Sequence, residues 1–192
     1  MVLTPPTRLL LIRHAPSAAP GRLAGRLDVP CTLPGEPVLA LARQRAAQLC
    51  PDARLISSPA RRCLETARAL HPGAEISENA SLWEQDFGAW EGLETTALPD
   101  LGPMNREELA AHRPPGGESF LELAQRAQSA LGSIQGRAII VTHAGVIRAA
   151  LGMALQDVSQ GLAFEVAPFS ATLLTVAGGE WSVGFVNLAL AP

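Results

Sequence analysis

The sequence predicts an α/β protein, a three-layer α/β/α sandwich around a mostly parallel sheet with an antiparallel edge hairpin. Two short apolar runs, residues 8–12 and 138–142, are typical of strands buried on both faces. Helical patterns alternate with strand candidates along the chain, which indicates βαβ units. Near the end of the chain, Gly178 and Gly179 separate two further strand candidates, and this spacing predicts the hairpin.

The elements follow one another in a regular order. After the first strand, apolar residues at helical spacing predict a helix that begins at residues 35–37, where proline suits the first turn. A short strand at residues 55–56 turns into a second helix, which ends at residues 71–73. A long amphipathic helix begins after Glu118, with apolar positions as far as Ile134, and leads to the second apolar strand. One more helix follows that strand.

The middle of the chain departs from this alternation. Residues 98–117 are rich in proline and glycine, and Asn105 with Glu108 forms a capping-box pattern for one short helix. We expect a small inserted cap within a single domain that spans residues 1–192, a length that suits one domain. An ordinary surface connection is the alternative for the cap.

Composition argues against several classes of function. The formal net charge is −3 and aromatic residues make up 4%, which disfavours nucleic acid and anionic membranes as partners. No apolar run has the length of a bilayer span, and we expect no secretory signal. The three cysteines lack CxxC spacing, so we expect reduced thiols in a cytoplasmic protein and no structural zinc. The oligomeric state stays open, with a homodimer as one alternative.

Both apolar strands run directly into a histidine. Arg13 and His14 follow the first strand, and His143 follows the second. Because ligands of open α/β sheets bind beyond the carboxyl ends of the strands, we expect these side chains to meet in one crevice. The helix that begins at Ala144 would add backbone N–H groups that point at the same ligand.

Phosphate is the ligand that suits this set of residues. Arg13 and His14 repel each other unless an anion lies between them, and a guanidinium fork matches phosphate oxygens. The guanidinium charge also lowers the pKa of the histidine, and a neutral imidazole keeps the lone pair that a nucleophile needs. A structural histidine in the core is the alternative for each strand taken alone.

Two more segments carry candidate groups. Arg61 and Arg62 lie in a first helical turn, where positive charge opposes the helix dipole unless an anion is bound. Two solvated surface charges are the alternative. Three acids, Glu84, Asp86 and Glu91, lie among aromatic residues and glycines, where a carboxyl can have a raised pKa and donate a proton. The spacing does not decide which of the three does so.

Taken together, the motifs resemble those of the histidine phosphatase superfamily, the phosphoglycerate mutase-like enzymes. Five segments match in the family's order, which is not expected by chance. The segments are Arg13-His14-Ala15 with Ser17; Ser57-Ser58-Pro59 with Arg62 and Thr66-Ala67; Leu82, Glu84, Phe87-Gly88 and Trp90-Glu91-Gly92; Gly116-Gly117-Glu118-Ser119 with Arg126; and residues 141–148.

The resemblance implies a catalytic role for five residues. His14 would attack phosphorus and form a phosphohistidine. Arg13 and Arg62, together with His143, would hold the phosphoryl oxygens. Glu84 would protonate the leaving oxygen and then activate water. No metal or other cofactor is expected, because the arginines take the role that Mg²⁺ plays in other phosphoryl-transfer enzymes.

The predicted substrate-binding set also includes Ser17 and Ala144. Ala15 replaces the glycine that is usual in the family, so the turn after the nucleophile must avoid positive φ or be slightly strained. Pro20 stands where many members have a phosphate-contacting asparagine, and Arg22 is the candidate to replace that contact.

The resemblance implies a metal-independent phosphomonoesterase that hydrolyses a small phosphorylated metabolite and releases inorganic phosphate. The short chain and residues 21–30 look most like the α-ribazole phosphatase branch, which suggests α-ribazole 5′-phosphate. Phosphoglycerate mutase-type transfer is an alternative, although the compact segment 98–117 offers little to shield a phosphoenzyme from water. A metallohydrolase built on His14, His143 and Glu84, and a phosphate-binding module without catalysis, are the remaining alternatives.

Overall fold

The computed structural model describes residues 5–191; residues 1–4 and 192, which the predicted domain includes, lie outside the described residues. The strands are β1 (Thr7–Arg13), β2 (Arg54–Ser57), β3 (Ile76–Glu78), β4 (Arg137–Thr142), β5 (Ser170–Ala177) and β6 (Glu180–Ala189). The α-helices are α1 (Glu36–Leu49), α2 (Arg61–Leu70), α3 (Arg106–Ala111), α4 (Phe120–Gly132) and α5 (Ala144–Ala154).

The six strands form one mixed sheet in the order β3-β2-β4-β1-β5-β6. The pairs β1–β4, β4–β2 and β2–β3 are parallel, whereas β5 pairs antiparallel with both β1 and β6. The hairpin β5–β6 therefore forms one edge of the sheet. The prediction of a mostly parallel sheet with an antiparallel edge hairpin is confirmed.

The sheet separates two cores, because successive side chains of a strand point to opposite faces. Leu9 and Leu11 of β1 enter a core that they share with α4 and α5. Leu10 and Ile12 enter a second core, shared with α1 and α2. All four side chains are fully buried, and burying each of them stabilises the fold by roughly 1.5–3 kcal/mol. The predicted three-layer α/β/α arrangement is confirmed.

One helix end and one whole strand differ from the sequence prediction. Helix α4 begins with a capping box between Ser119 and Glu122 and ends at Gly132, so Ile134 lies beyond the helix in which it was predicted. Its side chain is nevertheless buried against the same core. Strand β3 was not predicted, because it is three residues long and only Ile76 in it is apolar.

The predicted cap segment, residues 98–117, contains α3, and the capping box of Asn105 with Glu108 is present. His112 follows α3 and stacks on Trp90, with ring centroids 5.4 Å apart. The function of this segment as a cap, and the assignment of the chain to one domain, stay predictions. Within residues 5–191, no helix combines the length and the apolar character that crossing a bilayer requires.

Candidate active site

The carboxyl ends of β1 and β4 place two histidines side by side. The strands are parallel neighbours in which Arg13 pairs with Thr142, and the His14 N–H donates to the Thr142 carbonyl at 2.9 Å. The imidazoles of His14 and His143 follow directly and meet edge to face, with ring centroids 5.2 Å apart. Both side chains are buried. The pairing of β1 with β4 therefore places two imidazoles in one crevice.

His14 is held as a neutral imidazole in one tautomer. Its Nδ1 lies 2.7 Å from the Ala15 carbonyl oxygen, which only accepts, so Nδ1 carries the proton and the lone pair is on Nε2. Burial lowers the pKa of His14 to about 3, and the charges of Arg62 and Arg13 act in the same direction. The side chain is therefore uncharged at neutral pH. Ala15 has no positive φ, as its replacement of glycine requires.

Arg13 brings a cation with an unused donor to this crevice. Its Nη1 donates to the Val166 carbonyl at 2.6 Å, while its Nε is buried without a hydrogen-bond partner among the described residues. Burial lowers the pKa of Arg13, and nearby Glu84 opposes that shift. An unpaired buried donor costs about 1–3 kcal/mol, so an anion beside Arg13 would stabilise the site.

Arg62, unlike its neighbour Arg61, lies in the interior. The side chain is 1% exposed and its guanidinium donates to three backbone carbonyls of the loop 24–27, at 2.8–3.0 Å. The side chain of Arg61 is 59% exposed and pairs with Glu65 at 2.7 Å. The solvated-charge alternative thus describes Arg61, whereas Arg62 joins helix α2 to the loop that borders the histidines.

His143 is fully buried and fixed from several sides. Its Nε2 lies 2.9 Å from the Ser58 hydroxyl and 3.4 Å from the Cys63 sulfur. The indole of Trp83 stacks on the imidazole, with a centroid distance of 6.3 Å and planes 8° apart. Burial, followed by the charge of Arg62, holds the pKa of His143 well below its usual value. The contacts of Cys63 and Trp83 with His143 were not predicted, because they join segments that are far apart in the chain.

Glu84 reaches the same crevice from the segment that follows β3. Its Oε2 accepts the Gly145 N–H at 3.1 Å, at the beginning of α5, and its Oε1 accepts the Gln85 N–H at 3.0 Å. Each oxygen keeps a lone pair that can hold a proton. A Cβ atom at Gly145 would lie 2.1 Å from the Glu84 Oε1, so only glycine allows this approach.

The other two acids of this segment have structural partners. Asp86 accepts the Gly88 N–H at 2.8 Å and so closes a turn. Glu91 accepts four backbone N–H groups at 2.8–3.1 Å, those of Gly25, Arg26, Leu27 and Phe87. Glu91 therefore holds the loop 24–27 through its N–H groups. Of the three candidates, Glu84 alone has its carboxylate at the beginning of the helix that follows His143.

Of the remaining predicted binding residues, only Ala144 adjoins a histidine of the site directly. Ala144 is the first residue of α5 and directly follows His143. The Ser17 hydroxyl accepts the Ala19 N–H at 3.1 Å. Arg22 is exposed and donates to the Gly92 carbonyl at 2.9 Å, with Glu94 as its ion partner at 3.4 Å. The structure thus does not bring the Arg22 guanidinium together with the buried cations.

The assembled groups can perform phosphoryl chemistry. Two neutral imidazoles lie beside the half-buried Arg13 and the buried Arg62. A carboxylate lies near them at the beginning of a helix, a position that favours the negative charge of a bound anion. In the part of the chain from residue 5 to residue 191, no three His, Cys, Asp or Glu side chains are grouped to hold a metal ion.

Curated proteins with similar sequences include phosphatases and mutases. The Bifunctional protein Rv2228c of Mycobacterium tuberculosis is 31% identical over 199 residues, which cover 95% of this chain and 54% of that protein. The chain thus spans about half the length of the first curated relatives it matches. A Probable phosphoglycerate mutase GpmB of Salmonella paratyphi C is 32% identical, over 71% of this chain and 69% of that protein. The Metal-independent phosphoserine phosphatase of Arabidopsis thaliana is 30% identical, over 74% of this chain and 66% of that protein.

Solved structures and a family model agree with this grouping. The structure of the open reading frame Rv3214 from Mycobacterium tuberculosis has a TM-score of 0.77 at 28% identity, covering 96% of this chain and 98% of that one. A model of the histidine phosphatase superfamily (branch 1) matches residues 9–189. Because that match takes in nearly the whole chain, the chain belongs to branch 1 of the histidine phosphatase superfamily.

Proposed function

We propose that this protein is a metal-independent phosphomonoesterase, which hydrolyses a small phosphorylated metabolite through a phosphohistidine on His14. The observation that carries the proposal is the state of His14: Nδ1 is bound to the Ala15 carbonyl, and Nε2 keeps its lone pair. Arg13 and Arg62 supply positive charge beside it. A neutral nucleophile next to fixed cations is the arrangement that phosphoryl transfer requires.

In the first step, the His14 Nε2 attacks phosphorus and the ester P–O bond breaks. The leaving oxygen takes a proton from Glu84. Negative charge in the loose transition state lies on the three equatorial oxygens, which the guanidiniums of Arg13 and Arg62 would hold. The phosphorylated His14 ring still donates a hydrogen bond from Nδ1–H to the Ala15 carbonyl, so the ring keeps its orientation during the step.

In the second step, water attacks the phosphohistidine. Glu84, now a carboxylate, takes a proton from that water while the N–P bond breaks. The His14 imidazole returns to its neutral form and inorganic phosphate leaves. Burial favours the neutral imidazole over the charged one, which is why the pKa of His14 is lowered to about 3. Activity that survives EDTA supports the metal-independent reaction, and activity lost to EDTA and restored by a divalent cation contradicts it.

The substrate is best sought with a panel of phosphomonoesters. α-Ribazole 5′-phosphate represents the branch that the sequence resembles. 3-Phosphoglycerate and phosphoserine represent the relatives named as a mutase and a phosphoserine phosphatase, and both compounds carry a carboxylate. Release of inorganic phosphate supports hydrolysis, whereas formation of 2-phosphoglycerate from 3-phosphoglycerate supports the mutase alternative. Binding without an acid-labile phosphoenzyme supports a non-catalytic module.

Arg62→Ala is expected to raise the inhibition constant of vanadate by about 10–100-fold, because hydrogen bonds to charged groups contribute roughly 1.5–3 kcal/mol. Arg61→Ala is the matched control, since its side chain is exposed and already paired with Glu65. Arg62→Lys tests the charge without the guanidinium fork. Vanadate inhibition of p-nitrophenyl phosphate hydrolysis is the measurement. If Arg61→Ala has the larger effect, the assignment of Arg62 is wrong.

Gly145→Ala is expected to lower kcat/KM for an alkyl phosphate by about 10²-fold with little change in thermal stability. The added Cβ overlaps the Glu84 carboxylate and lies 3.0 Å from the Leu123 Cδ1. Both are far ends of flexible side chains, so the carboxylate moves while the backbone stays. Displacements of about 1 Å in a site cost rates of this order. Gly132→Ala is the control, because a Cβ there contacts nothing within 4 Å. Unchanged activity in Gly145→Ala would show that Glu84 is not needed at this position.

A further inference from the structure

One guanidinium at the edge of the crevice has no role in holding the phosphoryl group. Arg26 lies on the loop 24–27, with its guanidinium carbon 5.6 Å from the ring centroid of Trp83. The same indole stacks on the imidazole of His143. Trp83 therefore connects the buried imidazole to a cation whose side chain is 37% exposed. Arg26 thus lies one aromatic ring away from the imidazole of His143.

The charge of Arg26 is only weakly compensated. Its carboxylate partner is Glu118, whose Oε1 lies 3.7 Å from the Arg26 Nη2. Arg126 binds that same carboxylate with two nitrogens, at 2.5 and 3.1 Å. Two guanidiniums thus share one carboxylate, and the shorter bonds belong to Arg126. The Arg26 Nε is buried with no hydrogen-bond partner in the region from residue 5 to residue 191.

The backbone that carries Arg26 is fixed on both sides. Its own N–H donates to the Glu91 carboxylate at 2.8 Å, and on its other side the Leu27 N–H donates to the same carboxylate at 3.1 Å. A side chain on a fixed backbone loses less freedom when it binds a ligand than one on a mobile loop. The stack on Trp83 restricts the guanidinium further, with the attraction that cations have for indole faces.

We propose that Arg26 is a specificity-determining residue, which selects phosphomonoesters that carry a second anionic group, a carboxylate in the simplest case. The inference rests on the proposed hydrolysis at His14 and assigns the substrate class of that site. The second anion pairs with the Arg26 guanidinium, while the phosphate lies between Arg13 and Arg62. α-Ribazole 5′-phosphate has no second anionic group, so its kcat/KM is expected to be lower than that of phosphorylated carboxylic acids.

The test is a pair of substrates that differ at one carbon. 3-Phosphoglycerate carries a carboxylate where glycerol 3-phosphate carries a hydroxymethyl group. Wild-type protein is expected to prefer 3-phosphoglycerate in kcat/KM, and Arg26→Gln is expected to lower the ratio of the two values by about tenfold or more. Arg26→Lys, which keeps the charge but not the planar fork, is expected to retain part of the preference. Arg61→Gln removes an equal charge from the nearby surface and is expected to leave the ratio unchanged.

The outcomes separate this inference from the proposed function. Equal kcat/KM values for the two substrates in wild-type protein overturn the inference, as does a ratio in Arg26→Gln that equals the wild-type ratio. In either case, hydrolysis of p-nitrophenyl phosphate that depends on His14 leaves the proposed function intact. The proposed function itself fails if wild-type protein hydrolyses none of the three compounds. Circular dichroism and thermal unfolding of Arg26→Gln and Arg26→Lys show whether the loop variants fold.

Discussion

His14→Ala is expected to lower kcat/KM for every phosphomonoester by about 10⁴-fold or more, the scale of losses when a covalent nucleophile is removed. The imidazole is the group whose Nε2 would bond to phosphorus, and its Nδ1 is bound to the Ala15 carbonyl. His143 is poorly placed to replace it, because its Nε2 already faces the Ser58 hydroxyl at 2.9 Å. Loss of activity should therefore be shared by activated and unactivated substrates alike.

Two measurements make the His14→Ala result specific. Rapid-quench labelling with a radioactive phosphomonoester should trap an acid-labile phosphoenzyme in wild-type protein and none in the variant. His71→Ala is the matched control, because His71 is the half-buried residue directly after α2 and lies outside the crevice. If His14→Ala keeps hydrolytic activity while thermal unfolding shows an intact fold, the nucleophile is another group.

The positions of His14 and His143 could be predicted from the sequence, because each residue directly follows a buried strand. A strand buried on both faces has a nearly continuous apolar pattern, so the strands that end before His14 and His143 could be predicted directly. Parallel neighbours then bring their carboxyl ends together, and the two rings do meet, 5.2 Å apart. Strand β3 could not be predicted in this way, because hydrogen bonds to β2 define it and its own pattern does not.

Side-chain partners across the fold could not be predicted from residue patterns. Arg61 and Arg62 are adjacent and chemically identical, and only the packing of α2 buries one and exposes the other. Arg22 was assigned to phosphate, yet its guanidinium donates to the Gly92 carbonyl. Arg26 belongs to residues 21–30, which the resemblance singled out, but it had no role of its own. Its contact with Trp83 joins positions more than fifty residues apart in the chain. Such contacts need the tertiary structure.

Glu84→Gln is expected to lower kcat/KM for an alkyl phosphate by about 10²–10⁴-fold, the usual contribution of general acid catalysis. The kcat/KM of the variant for p-nitrophenyl phosphate should fall far less, because the leaving oxygen of this substrate is a weak base that departs without a proton. The parameter kcat/KM reports steps through the first irreversible one, so the comparison isolates formation of the phosphohistidine. Hydrolysis of that intermediate also uses Glu84, so the variant should release p-nitrophenol in a burst and then slow down.

The position of Glu84 makes this substitution interpretable. Its two oxygens accept the N–H groups of Gly145 and Gln85, so the glutamine carbonyl can keep one of these bonds while its amide gives up the other. Glu94→Gln removes an exposed carboxylate from the same stretch of chain and is the matched control. Equal losses on the alkyl and p-nitrophenyl substrates would mean that the Glu84 carboxyl orients the site without donating the proton. A selective loss with a burst would assign both proton transfers to this one residue, since only a group that gives and then takes a proton produces that combination.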